Sequence, residues 1–212
     1  MIEIELKFAI KSAPTALDKF PLTKEKTQLD IYYDTASYSM LRRGGFLRVR
    51  NNAKIDFKGD PAHDMPQHDY CIETSFDIES ISEKSAEIDR SFAMFGLGAT
   101  GQYKDLAGML AQNKLQRIAI IDKVRREYKM SEHITVALDK VKEIGLFLEA
   151  EMMVSDRTSK EEIQKHIEQM RADLIACGIL TKDAIPVQVG YVELYLFEHN
   201  RAAYDVGLYK IS

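Results

Sequence analysis

Tryptophan is absent from the chain, and cysteine occurs only twice in 212 residues. The missing tryptophan bears on substrate choice, because a binding site here lacks the largest stacking ring. Cys71 and Cys177 lie far apart, with neither metal-ligand spacing nor a disulfide framework, so a reducing, cytoplasmic setting is expected. No apolar run approaches the roughly 18 residues that a membrane span needs. The opening Met1–Glu5 carries no signal-peptide pattern. A basic excess is also missing. Lys and Arg total 29 against 33 Asp and Glu, a net charge of −4, which argues against non-specific nucleic-acid binding. Internal repeats, low-complexity tracts and linkers are absent. What is present is an apolar fraction of 45 %, enough for a core, and a charged fraction of 29 %, too low for a disordered polyelectrolyte. One domain spanning 1–212 is the expectation.

Alternation with a period of two marks strands at 2–10, 26–34, 46–51, 54–58, 68–77, 114–129, 132–142 and 145–154. Gly44-Gly45 punctuates a hairpin. The period lengthens between 79 and 113, where Ile81, Ile88, Phe92 and Phe95 predict a helical insert. Further helices are predicted at 160–176, which Ser159 and Glu162 open as a capping box, and at about 189–205. The C-terminal helices thus occupy about 159–205. Strands in number with grouped helices predict an α+β fold on a large antiparallel sheet or barrel. Gly96-Leu97-Gly98-Ala99-Thr100-Gly101 matches a phosphate-loop pattern, but it follows a helix rather than a strand and fails its context test.

The polar strand faces carry the information. Glu3, Glu5 and Lys7 share one face of the first strand, Arg48 and Arg50 one face of the hairpin, followed by Asp56 and Lys58. Glu73, Lys123 with Arg125, Asp139, and Glu149 with Glu151 complete the set. Any one such doublet is ordinarily a solvated strand face. Here five strands do it together, the polar positions are almost wholly charged, and the signs are sorted by strand. Turned into a closed barrel of about eight strands, these charges line an interior that holds only side chains or one small ligand. Buried charges require partners. Carboxylates in that setting call for a hard divalent cation, and facing arginines and lysines for a multidentate anion. A nucleotide or polyphosphate with Mg²⁺ satisfies both.

Glu3-Ile4-Glu5-Leu6-Lys7 resembles the ExExK signature of the CYTH superfamily, the triphosphate tunnel metalloenzymes. Tyr32-Tyr33-Asp34-Thr35, Leu47-Arg48-Val49-Arg50, Lys58, Arg125, Leu138-Asp139 and Glu149-Ala150-Glu151 follow in that family's order and spacing. Within the superfamily the chain is most similar to thiamine triphosphatases, in its helical insert, its length and its Tyr195-Leu196 … Tyr204 tail. The resemblance implies a closed antiparallel eight-stranded barrel, the triphosphate tunnel, with helices packed outside. It implies Glu3, Glu5, Asp139, Glu149 and Glu151 as metal ligands. Lys7, Arg48, Arg50, Lys58 and Arg125 would grip the triphosphate and act in catalysis. Lys123, Glu73 and Tyr191 would be further substrate-side residues. Two positions depart from the thiamine triphosphatase pattern. No tryptophan stands near Ile55 to stack on thiamine, and Tyr191 replaces a phosphate-contacting lysine.

The function expected is Mg²⁺-dependent hydrolysis of the terminal phosphate of thiamine triphosphate or inorganic triphosphate, with Mn²⁺ as a substitute metal. The alternatives are a class IV adenylyl cyclase making cAMP from ATP, and a non-catalytic polyphosphate- or nucleotide-binding module. A small-molecule substrate, no nucleic-acid or membrane partner, and a monomer complete the expectation.

Overall fold

A computed structural model describes residues 2–59, 72–98, 101–155 and 157–211, without the side chains of Ile2, Glu3 and Ile72. The chain forms eight strands: β1 (Ile2–Ile10), β2 (Leu22–Thr35), β3 (Gly45–Arg50), β4 (Lys54–Gly59), β5 (Ile72–Asp77), β6 (Leu115–Lys129), β7 (Ile134–Val141) and β8 (Gly145–Val154). Among the described residues five α-helices accompany them: α1 (Ser85–Met94), α2 (Leu106–Gln112), α3 (Lys160–Ala176), α4 (Tyr191–His199) and α5 (Arg201–Val206). The strand order is β1-β8-β7-β6-β2-β3-β4-β5 in one eight-stranded sheet. The ladders described residue by residue are antiparallel. The fold is α+β, as expected.

One expectation is corrected. The sheet is open where a closed barrel was predicted, since the strand order leaves β1 and β5 as its outer strands. The outer edge of β1 is already engaged: Val187 N–H donates to the Lys7 carbonyl at 2.7 Å, and Phe8 bridges to Pro186. Backbone groups bound there are not available to another strand. The described residues gather into two compact units. The first comprises the described residues of 2–27 and 122–188, and the second those of 28–59, 72–121 and 189–211. Strands β2 and β6 run through both.

The core of the first unit lies between the sheet and α3. Alternation on β1 sends Ile4, Leu6 and Phe8 inward, where they meet Val136, Leu148 and Ala150, and Ile163, Met170 and Leu174 of α3. The α3 capping box forms as predicted, with Ser159 accepting from the Glu162 N–H and Glu162 from the Ser159 N–H. In the second unit α1 and α2 cover the apolar side of the hairpin. Leu47, Ile55, Phe57 and Phe76 pack against Ile88, Phe92, Phe95 and Met109. Each such buried side chain contributes about 1.5–3 kcal/mol. A third cluster gathers Leu41, Ile118, Val192, Leu196 and Tyr204. Both sheet halves therefore cover one face with helices and leave charges on the other. No helix among the described residues is long and apolar enough to cross a membrane.

Candidate active site

In the first unit, register decides which charges meet. Lys7 stands directly opposite Glu149 and Glu5 opposite Glu151, on β1 and β8. Arg125 stands opposite Asp139 on β6 and β7. The Lys7 ammonium bridges Glu5 at 2.9 Å and Glu149 at 3.2 Å. Arg125 donates from Nε and Nη2 to the two Asp139 oxygens at 2.8 and 2.7 Å, a bidentate pair. Its Nη1 reaches Glu151 at 2.9 Å, and its Nη2 also donates to Glu149. Lys123 closes on Asp139 at 2.8 Å. Carboxylate oxygens of Glu5, Glu149 and Glu151 all lie within 4.8 Å of one another. Three hard oxygen donors converging this closely are what a small divalent cation requires. Among the described residues four carboxylates face three cations in this cluster, which favours a further positive charge.

The second unit carries an arginine cluster on β2 to β5. Asp30 stands opposite Arg50, and Asp56 opposite Arg48. Asp30 accepts from Arg50 Nε and Nη2, both at 2.7 Å. Asp56 accepts from Arg48 Nε at 3.0 Å and Nη2 at 2.8 Å, and Ser75 pins its other oxygen at 2.7 Å. Glu73 meets Arg48 at 3.1 Å and Lys58 at 3.8 Å. Asp56 holds Arg48 by its Nε–Nη2 edge, with Asp30 3.8 Å from its Nη1, and Asp30 holds Arg50 by the Nε–Nη2 edge. Fixed forks of this kind suit phosphate oxygens.

A CYTH domain model matches residues 1–178, a span that carries both clusters. The chain belongs to the CYTH domain family. Among its relatives, the Putative adenylate cyclase MJ0240 of Methanocaldococcus jannaschii is 28 % identical over 202 residues, covering 92 % of this chain and 98 % of that one. The fold is shared with the Pyrococcus horikoshii OT3 protein PH1819, at a TM-score of 0.64 and 21 % identity over 92 % of this chain and 98 % of that one. It is also shared with a Hippeastrum protein, HpAC1, described as a "putative adenylyl cyclase" that "reveals a dominant" triphosphatase activity. There the TM-score is 0.53 and the identity 20 %, over 84 % and 88 % of the two chains.

Electrostatics in this CYTH chain keep Lys7, Arg48 and Arg125 charged. Burial works against the Lys7 ammonium, but Glu5 and Glu149 outweigh it and raise its pKa above the ordinary value. Burial likewise opposes Arg125, and Asp139, Glu149 and Glu151 overcome it. Arg48 follows the same pattern: burial opposes its charge, and neighbours including Asp30, Asp56 and Glu73 hold it. Lys123 goes the other way. Burial pushes its pKa down more than Glu149 and Asp139 restore it.

The residues expected from sequence fall as follows. Glu5, Lys7, Lys123, Arg125, Asp139, Glu149 and Glu151 gather in the first unit. Arg48, Arg50, Lys58 and Glu73 gather in the second. Asp139 is fully buried, and its oxygens are engaged by Lys123 and Arg125. The Glu3 side chain is outside the described residues. Tyr191 begins α4 and is buried. Ile55 is corrected: it is fully buried among Phe57, Phe76 and Phe92 on the helix-covered side of β4, so no stacking ring is placed from that position. Asp30 was missed as a partner for the arginines. Its signal was the spacing to Tyr32 and Asp34, which put it on one face of β2 with them.

Proposed function

We propose that this CYTH protein hydrolyses the terminal phosphate of a small triphosphate, thiamine triphosphate or inorganic triphosphate, with Mg²⁺ bound and Mn²⁺ as a substitute. The observation that carries the reading is the convergence of Glu5, Glu149 and Glu151 oxygens beside Lys7 and Arg125. Those three glutamates would hold the metal, with Glu3 and Asp139 as further ligands. Bound Mg²⁺ supplies charge neutralisation on phosphate oxygens and a more acidic water.

The chain's own residues do the positioning, which is most of what phosphoryl transfer needs. Glu149 and Glu151 each accept from Arg125. With a cation held by Glu149 and Glu151, Arg125 Nη1 would be free to donate to phosphate while Nη2 keeps its bond to Asp139. Metal and phosphate affinity are therefore coupled through Arg125. Lys7 stays protonated and offsets the charge of the polyphosphate. Arg48, Arg50 and Lys58 give the anion-binding donors of the second unit, with Lys123, Glu73 and Tyr191 as supporting substrate-side groups. In the reaction a water oxygen forms the new P–O bond and the bond to the bridging oxygen breaks. Orthophosphate and the diphosphate product leave, and the water proton passes to a carboxylate.

The name of the Methanocaldococcus relative favours a second reading, cAMP formation from ATP. One panel separates the two. Thiamine triphosphate, inorganic triphosphate and ATP are each incubated with Mg²⁺, and orthophosphate, diphosphate and cAMP are measured. Orthophosphate release from the first two is expected. Diphosphate with cAMP from ATP alone would overturn the hydrolase reading.

A further inference from the structure

Gln28 is buried, 5 % exposed, and its side-chain oxygen has no hydrogen-bond partner among the described residues. That is an unusual state for a carboxamide, because a buried acceptor without a donor forfeits its hydration with no return. The residue sits two positions before Asp30 on β2, so it shares the strand face of the carboxylate that grips Arg50. Leu29, between them, turns to the opposite side and is exposed. The strand is fixed at this point. Asn51 accepts from the Leu29 N–H at 2.7 Å and returns its own N–H to the Leu29 carbonyl at 2.8 Å. Gln28 is thus a buried acceptor on the strand face that carries Asp30.

A triphosphate cannot satisfy that oxygen. Ionised phosphate oxygens accept hydrogen bonds, and Arg48, Arg50 and Lys58 supply donors for them. A carboxamide oxygen needs an N–H or O–H. We infer that Gln28 is a specificity residue that accepts a hydrogen bond from an amino group on the organic half of the substrate, an amino-substituted heterocycle carrying a triphosphate chain. This inference deepens the proposed triphosphatase reading and rests on it. It places recognition of the organic group on a hydrogen bond, which needs no tryptophan.

The test changes the ligand and the protein separately. Equilibrium binding is measured by calorimetry, with Ca²⁺ replacing Mg²⁺, for ATP, for purine riboside triphosphate, which lacks the amino group, and for inorganic triphosphate. In the unaltered protein ATP should bind about tenfold tighter than its amine-free analogue, the usual scale of one hydrogen bond to a buried partner. In Gln28→Leu that gap should close while inorganic triphosphate binds as before. The ligand-free melting temperature of Gln28→Leu should hold or rise, because an unpaired buried acceptor is replaced by an apolar group of similar size. An unchanged gap in the variant, no gap in the unaltered protein, or equal weakening of inorganic triphosphate would each overturn the inference. Hydrolysis is scored alongside. If no triphosphate is cleaved the catalytic reading fails, and the binding comparison still decides the role of Gln28.

Discussion

Asp139 and Glu5 belong to one charged cluster but carry different loads. Asp139 is fully buried and holds both Lys123 and Arg125, so its removal takes a carboxylate from two buried cations at once. Asp139→Ala should lower stability by about 3–5 kcal/mol in urea unfolding. Glu5 is partly exposed and paired with Lys7 alone among the described residues. Glu5→Gln should leave stability within about 1 kcal/mol and reduce kcat/KM by about 10²-fold or more, measured by orthophosphate release. The reverse pattern would exchange their roles. Tyr32 offers a pH test. Burial, with help from Asp30 and Glu193 and against Arg48 and Lys58, raises its pKa above the ordinary 10.0. The folded state then keeps a proton that the unfolded state loses, so this contribution is whole below pH 10.0 and declines as pH rises past it. Tyr32→Phe should show a smaller loss of stability between about pH 9 and about pH 11 than the unaltered protein. Individual charges were legible in the sequence because their alternation was regular. Which carboxylate holds which cation was not, because strand register is set by pairing partners far away in the chain.

Element boundaries were legible where a local rule applied. The Ser159–Glu162 cap and the 3.6-residue stripe of α3 are chemistry within one turn, and both appear as read. Gly44 and Gly45 show the opposite case. Only Gly44, at φ 67°, serves the turn that the pair was expected to make. Gly45 opens β3 opposite Gly59, and the two leave room for the Phe95 ring at the end of α1. A methyl group at Gly45 would overlap that buried ring. Gly45→Ala should therefore cost about 1–3 kcal/mol, seen as a lowered melting temperature with unchanged secondary structure by circular dichroism. A neutral substitution would show that Phe95 has room to shift. This glycine's purpose lay about fifty residues away in the chain and was invisible locally. Ile55 failed for a related reason: its face is fixed by the helices that cover it.

At the scale of the whole molecule, metal dependence is the broadest consequence. EDTA should abolish turnover and Mg²⁺ or Mn²⁺ restore it. Ca²⁺ should bind and raise the melting temperature by mass action yet support little turnover, since its looser geometry suits a positioned displacement poorly. Full activity in EDTA would remove the metal from the mechanism. The eight strands and grouped helices were readable from periodicity, which each segment displays by itself. The covering of the β1 edge was not, because it depends on backbone contacts from residues 186–187, far along the chain.

The pairing of β1 with β8 also sets an order of events during synthesis. Glu5 meets Glu151 across a separation of about 145 residues. At about 5–20 residues per second, the first strand waits about 7–30 seconds before its partner is made. Throughout that interval Ile4, Leu6 and Phe8 are an unpaired β-forming run, the kind of segment that recruits other nascent chains. Glu5 and Lys7 alternate with them and oppose such pairing. The charges proposed to serve metal and phosphate in the finished protein thus act first as gatekeepers on the ribosome. Replacing both with apolar residues would be felt as lost soluble yield before it was felt as lost turnover.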